Sequence, residues 1–361
     1  MGKFGKKNHV SLNPLDANIC LLGTPKVGKT TLMKEVAEEL VGEDGYMFLE
    51  MYRENGHKYI EDLVYEEVPD WATFVEIIDD IVDNKAEDYP DLKVVFIDTI
   101  DNAILLAEQE SIRLWNKENP TKKTSAINAA WGGYMKGQDK AMELFQEQIF
   151  RLRTVGVAFQ LIGHVRVATV IDPVTGDTYQ QLSSDVSQRY FNQLKKNIDL
   201  VGIAYIDREI VKDNKKNSVV KSETRKIKFR DSSYCVDSGG RMAHIVDEIE
   251  FGAKQFIKAM RDALEAAVRD GGKSIEDRYQ ENKEQEEDFE KEVAQKESAA
   301  KKQKELDDTI NNIVMFFTDN RDNRDILKPI MKAIKDMGYT SPKEIDNIDD
   351  ADKIMKLIDE A

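Results

Sequence analysis

Nine consecutive residues, Gly23, Thr24, Pro25, Lys26, Val27, Gly28, Lys29, Thr30 and Thr31, have the types and spacing of a phosphate cradle. Gly23-x-x-x-x-Gly28-Lys29-Thr30 satisfies the P-loop pattern, whose glycines let the backbone curl so that its amides face phosphate oxygens at a helix N-terminus. In such a loop Lys29 would reach the β- and γ-phosphates of ATP, and the Thr30 hydroxyl would ligate Mg2+. A second stretch, "VVFIDTID" (94–101), runs four apolar residues into Asp98. That places a carboxylate at a strand end, where it can hold the same cation through water. Asp101 reads as a helix N-cap.

Three absences narrow the chemistry. There is no Asn-Lys-x-Asp guanine signature, and Asp98 is followed neither by x-x-Gly nor directly by Glu. A base for hydrolysis must therefore come from elsewhere. RecA-type ATPases take it from the end of the strand after the phosphate-loop helix, where "FLEMYREN" (48–55) offers Glu50 first and Glu54 second. A carboxylate there can polarise a water in line with the γ-phosphate.

The elements that must position these groups follow from the apolar pattern. "ANICLLG" (17–23), "YMFLEM" (46–51), "LKVVFID" (92–98) and "GVAFQLIG" (156–163) read as buried strands. Helices are expected from Lys29 to Leu40, over 71–83 and over 137–154. In the second, Trp71, Phe74, Val75, Ile78, Ile81 and Val82 share one face. Strands alternating with helices predict an α/β fold with a mostly parallel sheet covered on both sides. Hairpin patterns follow, in "ATVIDPVTGDTYQQL" (168–182) and on either side of "KDNKKN" (212–217), and a helix within 250–272 ends on glycines.

The expected organisation is a tail over 1–14, a nucleotide-binding domain over 15–272, a charged helical or flexible linker over 273–305 and a small helical module over 306–361. The linker lacks a sustained a/d repeat. In the module, "TSPKE" predicts a helix start with Ser341 as N-cap, Pro342 at N1 and Glu344 completing a capping box.

Of 361 residues 33% are charged and the net charge is -16, which argues against the whole surface being a nucleic-acid footprint. Cations nevertheless gather over 208–230, where Arg208, Lys212, Lys215, Lys216, Lys221, Arg225, Lys226, Lys228 and Arg230 fall. No apolar run approaches a membrane span and no signal-like segment opens the chain, so a cytoplasmic protein is expected. Cys20 and Cys235 read as buried free thiols.

In chain order, "GTPKVGKTT", "FLE", "VVFIDTID" and "WGGYMKGQDKAMELFQEQIFRLRTVGVAFQLIGHVRV" (131–167) resemble the phage RecA-like ATPases of the single-strand-annealing (Sak) group, over about residues 15 to 270. The resemblance implies a RecA-like core and a Mg2+-dependent ATPase acting on single-stranded DNA in phage recombination or replication. Such a protein would be a homo-oligomer in the host cytoplasm, working beside a phage single-strand-binding protein. It implies a polar sensor at His164, with Gln160 a weaker candidate. It also implies a DNA-contacting segment after His164, with Arg166, Arg189, Lys195 and Lys196 for phosphates and Tyr179 or Tyr190 for base stacking. Arg241 would be the cation offered to a neighbouring subunit's γ-phosphate, although Gly239 stands where relatives tend to carry Lys. The alternative is a nucleotide-switched assembly or loader protein with little hydrolysis. A nucleotide or small-molecule kinase is disfavoured by the lack of an Arg-rich lid.

Overall fold

"ICLLG" is buried at every position, as a strand covered on both faces requires. It is β1 (Ile19–Gly23) of a computed structural model that describes residues 10–54, 56–172, 174–212, 218–230, 238–272 and 274–359. Cys235 and the hairpin tip with Lys215 and Lys216 lie outside the described residues, whereas Cys20 is buried. The following elements are α1 (Lys29–Val41), β2 (Tyr46–Met51), β3 (Tyr65–Val68), α2 (Trp71–Asp83), β4 (Val94–Asp98), α3 (Ile100–Glu118) and α4 (Lys136–Thr154). Next come β5 (Ala158–Ile171), β6 (Thr178–Ser184), α5 (Gln188–Lys195), β7 (Leu200–Lys212), β8 (Ser218–Lys228), β9 (Gly239–Gly240), β10 (Glu248–Glu250) and α6 (Ala253–Asp270).

The strands form one sheet in the order β10-β8-β7-β1-β5-β4-β2-β3, with β6 added to β5 and β9 to β7. From β7 to β3 every pairing is parallel, and the remaining pairings are antiparallel. The chain is thus an α/β fold with a mostly parallel sheet. Alternate strand residues serve two cores. Leu22, Leu49, Val95 and Ile97 pack with Phe74, Ile104 and Phe145 on one face. Leu21, Phe48 and Phe96 pack with Val36 and Phe256 on the other. The Phe48 and Phe96 rings stack 4.4 Å apart, and truncating either to Ala would cost about 3–5 kcal/mol.

Three features of the sheet differ from the expected pattern. The short β3 has mostly exposed residues and gave no apolar signal. Strand β5 does not stop at Gly163 but runs on to Ile171, because beyond the parallel sheet it gains β6 as an antiparallel partner, from Val165↔Ser184 to Ile171↔Thr178. Gln160 is not near the phosphate loop: it is buried early in β5, accepts from Ile19 N at 2.9 Å and donates to Leu15 O and Ala17 O, stapling the entry to β1.

Of the two readings for 273–305, the chain is helical: α7 runs unbroken over Ile275–Asp319. The compact units divide at Glu290/Lys291. In the first unit, the start of α7 is held by Leu12 N donating to Asn282 Oδ1 at 3.3 Å and by Lys93 paired with Glu286 at 3.0 Å and with Glu290. The second unit contains the rest of α7, α8 (Arg324–Asp336) and α9 (Ile348–Asp359), around a core that includes Leu306, Ile313, Ile330, Ile334 and Ile354. Here "TSPKE" is corrected. It forms only a 3-10 turn at Pro342–Glu344, Ser341 makes no side-chain cap bond, and α9 begins at Ile348. Glu344 instead accepts from Thr340 N at 2.8 Å, one residue earlier than a capping box on Ser341 would require. Among the described residues no helix is long and apolar enough to cross a membrane.

Candidate nucleotide site

The loop between β1 and α1 turns at Gly28, whose φ of 100° lies in the left-handed region that a side chain resists. It leaves the first amides of α1 without helical acceptors, the arrangement that receives a phosphate. Lys29 folds back over the loop, its ammonium donating to Gly23 O at 3.1 Å and Thr24 O at 3.2 Å. Burial lowers its pKa, opposed by the charges of Asp98, Asp101 and Glu54. From the next position Thr30 Oγ1 donates to Asp98 Oδ2 at 2.6 Å. The helix-borne hydroxyl and the β4 carboxylate therefore meet across the sheet end.

Strand order explains what else arrives there. Because β5 lies between β1 and β4, its residue level with Gly23 is His164. Asp101, in the first turn of α3, accepts from both His164 N and His164 Nδ1 at 3.1 Å. Its expected N-cap role is corrected: Thr99 holds the cap position, and the Asp101 carboxylate orients His164 instead. Gly163 makes this packing possible. A Cβ there would stand 2.7 Å from Ile100 Cγ2 and 2.9 Å from Leu22 Cδ2.

The two candidate bases separate. Glu50, next to last in β2, is in register with Asp98, but it is buried and His57 lies between them. His57 comes from the turn after β2 and is itself buried, with Nδ1 3.5 Å from Glu50 Oε1 and Nε2 3.1 Å from Asp98 Oδ2. Since an ionised carboxylate only accepts, Nε2 carries the hydrogen toward Asp98. Burial raises the Glu50 pKa, opposed by His57. Glu54, not Glu50, lines a cavity of about 350 Å³ with Lys29, Thr30, Asp98, Tyr59 and His164.

Lys26, Gly28, Lys29, Thr30, Thr31, Asp98 and His164 are thus brought together around one cavity, with Gly23, Thr24, Pro25 and Val27 completing the loop. Arg241 is not. It follows β9 at the strand-start edge of the sheet, opposite the phosphate loop, and donates to Asp199 Oδ1 at 2.9 Å and to Lys196 O. Tyr190 is corrected as a base-stacking candidate: it is buried, its hydroxyl bonds Glu108, and burial together with that carboxylate raises its pKa. Arg189 pairs with Asp139 at 2.6 Å, while Lys195 and Lys196 close α5 near Asp199, away from the ribbon that begins at His164. Within the basic run over 208–230, three of the described cations are paired on their own ribbon, Arg208–Glu223 at 2.7 Å, Lys221–Glu209 at 2.7 Å and Lys226–Asp207 at 2.9 Å.

Two further contributors belong to no motif. His57 carries no sequence signal, since its role depends on a turn folding back over two strand ends. Arg225 reaches from β8 to donate to Val27 O at 3.1 Å, with its guanidinium 4.9 Å above the Phe251 ring, bracing the loop from behind. Both groups come from elements that approach the loop only in the folded sheet.

The oxygen donors Thr30 and Asp98, the loop amides and Lys29 suit a nucleotide triphosphate with its Mg2+. Buried Thr24 Oγ1 and Thr99 Oγ1, which lack partners among the described residues, add further polar capacity. Fold and site together define a P-loop nucleotide-binding ATPase domain. Residues 15–242 match the model of the AAA domain family, and the chain belongs to that family. No curated protein matches the chain. Among solved structures it is similar to the flagellar accessory protein FlaH from Methanocaldococcus jannaschii, at 10% identity and a TM-score of 0.33, over 66% of this chain and 85% of that one. So distant a likeness carries nothing about the site.

Proposed function

We propose that the protein is a Mg2+-dependent ATPase with a RecA-like core that acts on single-stranded DNA, of the kind found in phage recombination or replication. The observation that supports this reading best is the continuity of β5. One strand carries His164 into the nucleotide cavity and then forms the β5–β6 ribbon with its next seven residues. At about 3.3 Å per residue the ribbon reaches roughly 23 Å beyond the site. A change at the γ-phosphate felt by His164 would thus pass along a stiff backbone to a surface bearing Arg166, Tyr179 and exposed Val167 and Ile171.

In this reading Lys29 and the loop amides bind the phosphates, and Thr30 and Asp98 hold Mg2+, which supplies charge neutralisation on the transferred phosphoryl group. Glu54 orients and deprotonates the attacking water, and His164 senses the nucleotide. The chain would work as a homo-oligomer beside a single-strand-binding protein, with Arg241 offered from the opposite sheet edge to a neighbour.

The test is ATP hydrolysis by the full chain with and without single-stranded DNA, with Lys29→Ala as the blank. Stimulation by DNA that vanishes in the variant is expected. Near-blank rates with intact ATP binding would overturn the ATPase reading in favour of a nucleotide-switched assembly or loader protein, which the covering of Glu50 by His57 would also suit.

A further inference from the structure

The exposed face of α8 carries a row of cations, Arg324, Lys328, Lys332 and Lys335. At 100° per residue the four fall within an arc of about 80°, and they extend about 16 Å along the axis. The opposite face supplies Ile330 and Ile334 to the core of the second unit, so packing fixes which way the row points. Asp325 and Asp336 flank the row without entering it, and no ion pair joins any of the four cations to a carboxylate among the described residues.

In the same unit, Lys296 pairs with Glu292 at 2.7 Å and Lys301 with Glu297 at 3.0 Å on α7, and Lys353 pairs with Asp350 at 2.8 Å on α9. On the β7–β8 ribbon Arg208, Lys221 and Lys226 are likewise matched by acids. Like charges three and four residues apart destabilise a helix. Asp325 stands three residues before Lys328 and Asp336 four after Lys332, yet neither forms an ion pair with the row among the described residues.

We propose that this row is a docking track for the phosphodiester backbone of a single-stranded nucleic acid. The proposal rests on the nucleic-acid reading above. A polynucleotide is favoured over an acidic protein because α8 has no large exposed apolar side chain to form the dry centre of a protein interface. Evenly spaced point charges are what backbone binding needs, and they carry no base readout. The track should therefore accept DNA and RNA of any sequence, while the ribbon after His164 supplies the nucleotide-coupled grip.

The experiment is fluorescence anisotropy of labelled single-stranded DNA and RNA oligonucleotides with the full chain over a salt series. It compares wild type with R324E/K328E/K332E/K335E and with the milder R324Q/K328Q/K332Q/K335Q, which keeps helix-forming residues at each position. Circular dichroism and DNA-free ATP hydrolysis check folding, since none of the four residues belongs to the nucleotide site. With four phosphate-binding cations removed, the slope of log affinity against log salt should fall by roughly 3, with at least a tenfold loss of affinity near 0.1 M salt. Wild-type binding that neither folded variant changes would overturn the track and leave the DNA reading standing. No oligonucleotide binding by wild type would overturn both.

Discussion

His57 Nε2 lies 3.1 Å from Asp98 Oδ2, the same oxygen that accepts the Thr30 hydroxyl at 2.6 Å. The imidazole thus fixes the carboxylate proposed to hold the cation, and its other nitrogen faces the buried Glu50. Outer partners of this kind typically change metal affinity by about 10–100-fold when removed. His57→Ala should raise the Mg2+ concentration that half-saturates Mg2+-dependent ATP binding by about that factor, while binding of a fluorescent ATP analogue in EDTA stays unchanged. Equal losses with and without Mg2+ would show that His57 serves only to keep the site folded.

Glu54 faces the cavity and Glu50 does not. Removing a general base costs about 10²–10⁴ in rate. Glu54→Gln is therefore expected to lower kcat by at least about 10² with ATP affinity retained. Glu50→Gln should lower it far less. The reverse order in single-turnover rates would restore Glu50 as the base.

The Asp101–His164 pair offers a test of coupling. Asp101 holds the ring through Nδ1 and the backbone through N. His164→Ala should bind ATP within a few-fold of wild type but lose most of the increase in hydrolysis caused by DNA, and Asp101→Asn should lose part of it. Unaltered stimulation in both variants would remove the sensor role from His164.

Gly163 gives a prediction about stability alone. A methyl group there meets Ile100 and Leu22 below 3.0 Å, and overpacking of this kind costs about 1–3 kcal/mol. Urea unfolding of Gly163→Ala should show that loss, with the denaturant slope unchanged. A neutral result would mean that α3 can shift away from the sheet without penalty.

The phosphate loop, Asp98 and the alternation of buried strands with amphipathic helices were legible in the residues because each depends on short-range rules. Glycine spacing sets a turn, an apolar run sets a strand, and a 3.6-residue period sets a helix face. The motif "IGH" was visible too, but not the packing around it. Gly163 allows the close approach of α3, and His164 comes level with Gly23 because β5 inserts between β1 and β4. The choice between Glu50 and Glu54 was likewise beyond the sequence, since both are acids near one strand end and only the tertiary structure puts His57 over the first.

The same limit separates the charges. Residues 208–230 looked like the basic surface, yet antiparallel pairing sets Arg208 opposite Glu223 and brings Lys221 to Glu209. The row on α8 is inconspicuous in one dimension and lines one exposed helix face in three, with no ion pair among the described residues. Local pattern alone determined which segment forms the P-loop and which fold into strands or helices. Tertiary structure decided which charges are cancelled, which carboxylate is covered and which histidine touches the site, because those depend on residues tens of positions apart meeting in space.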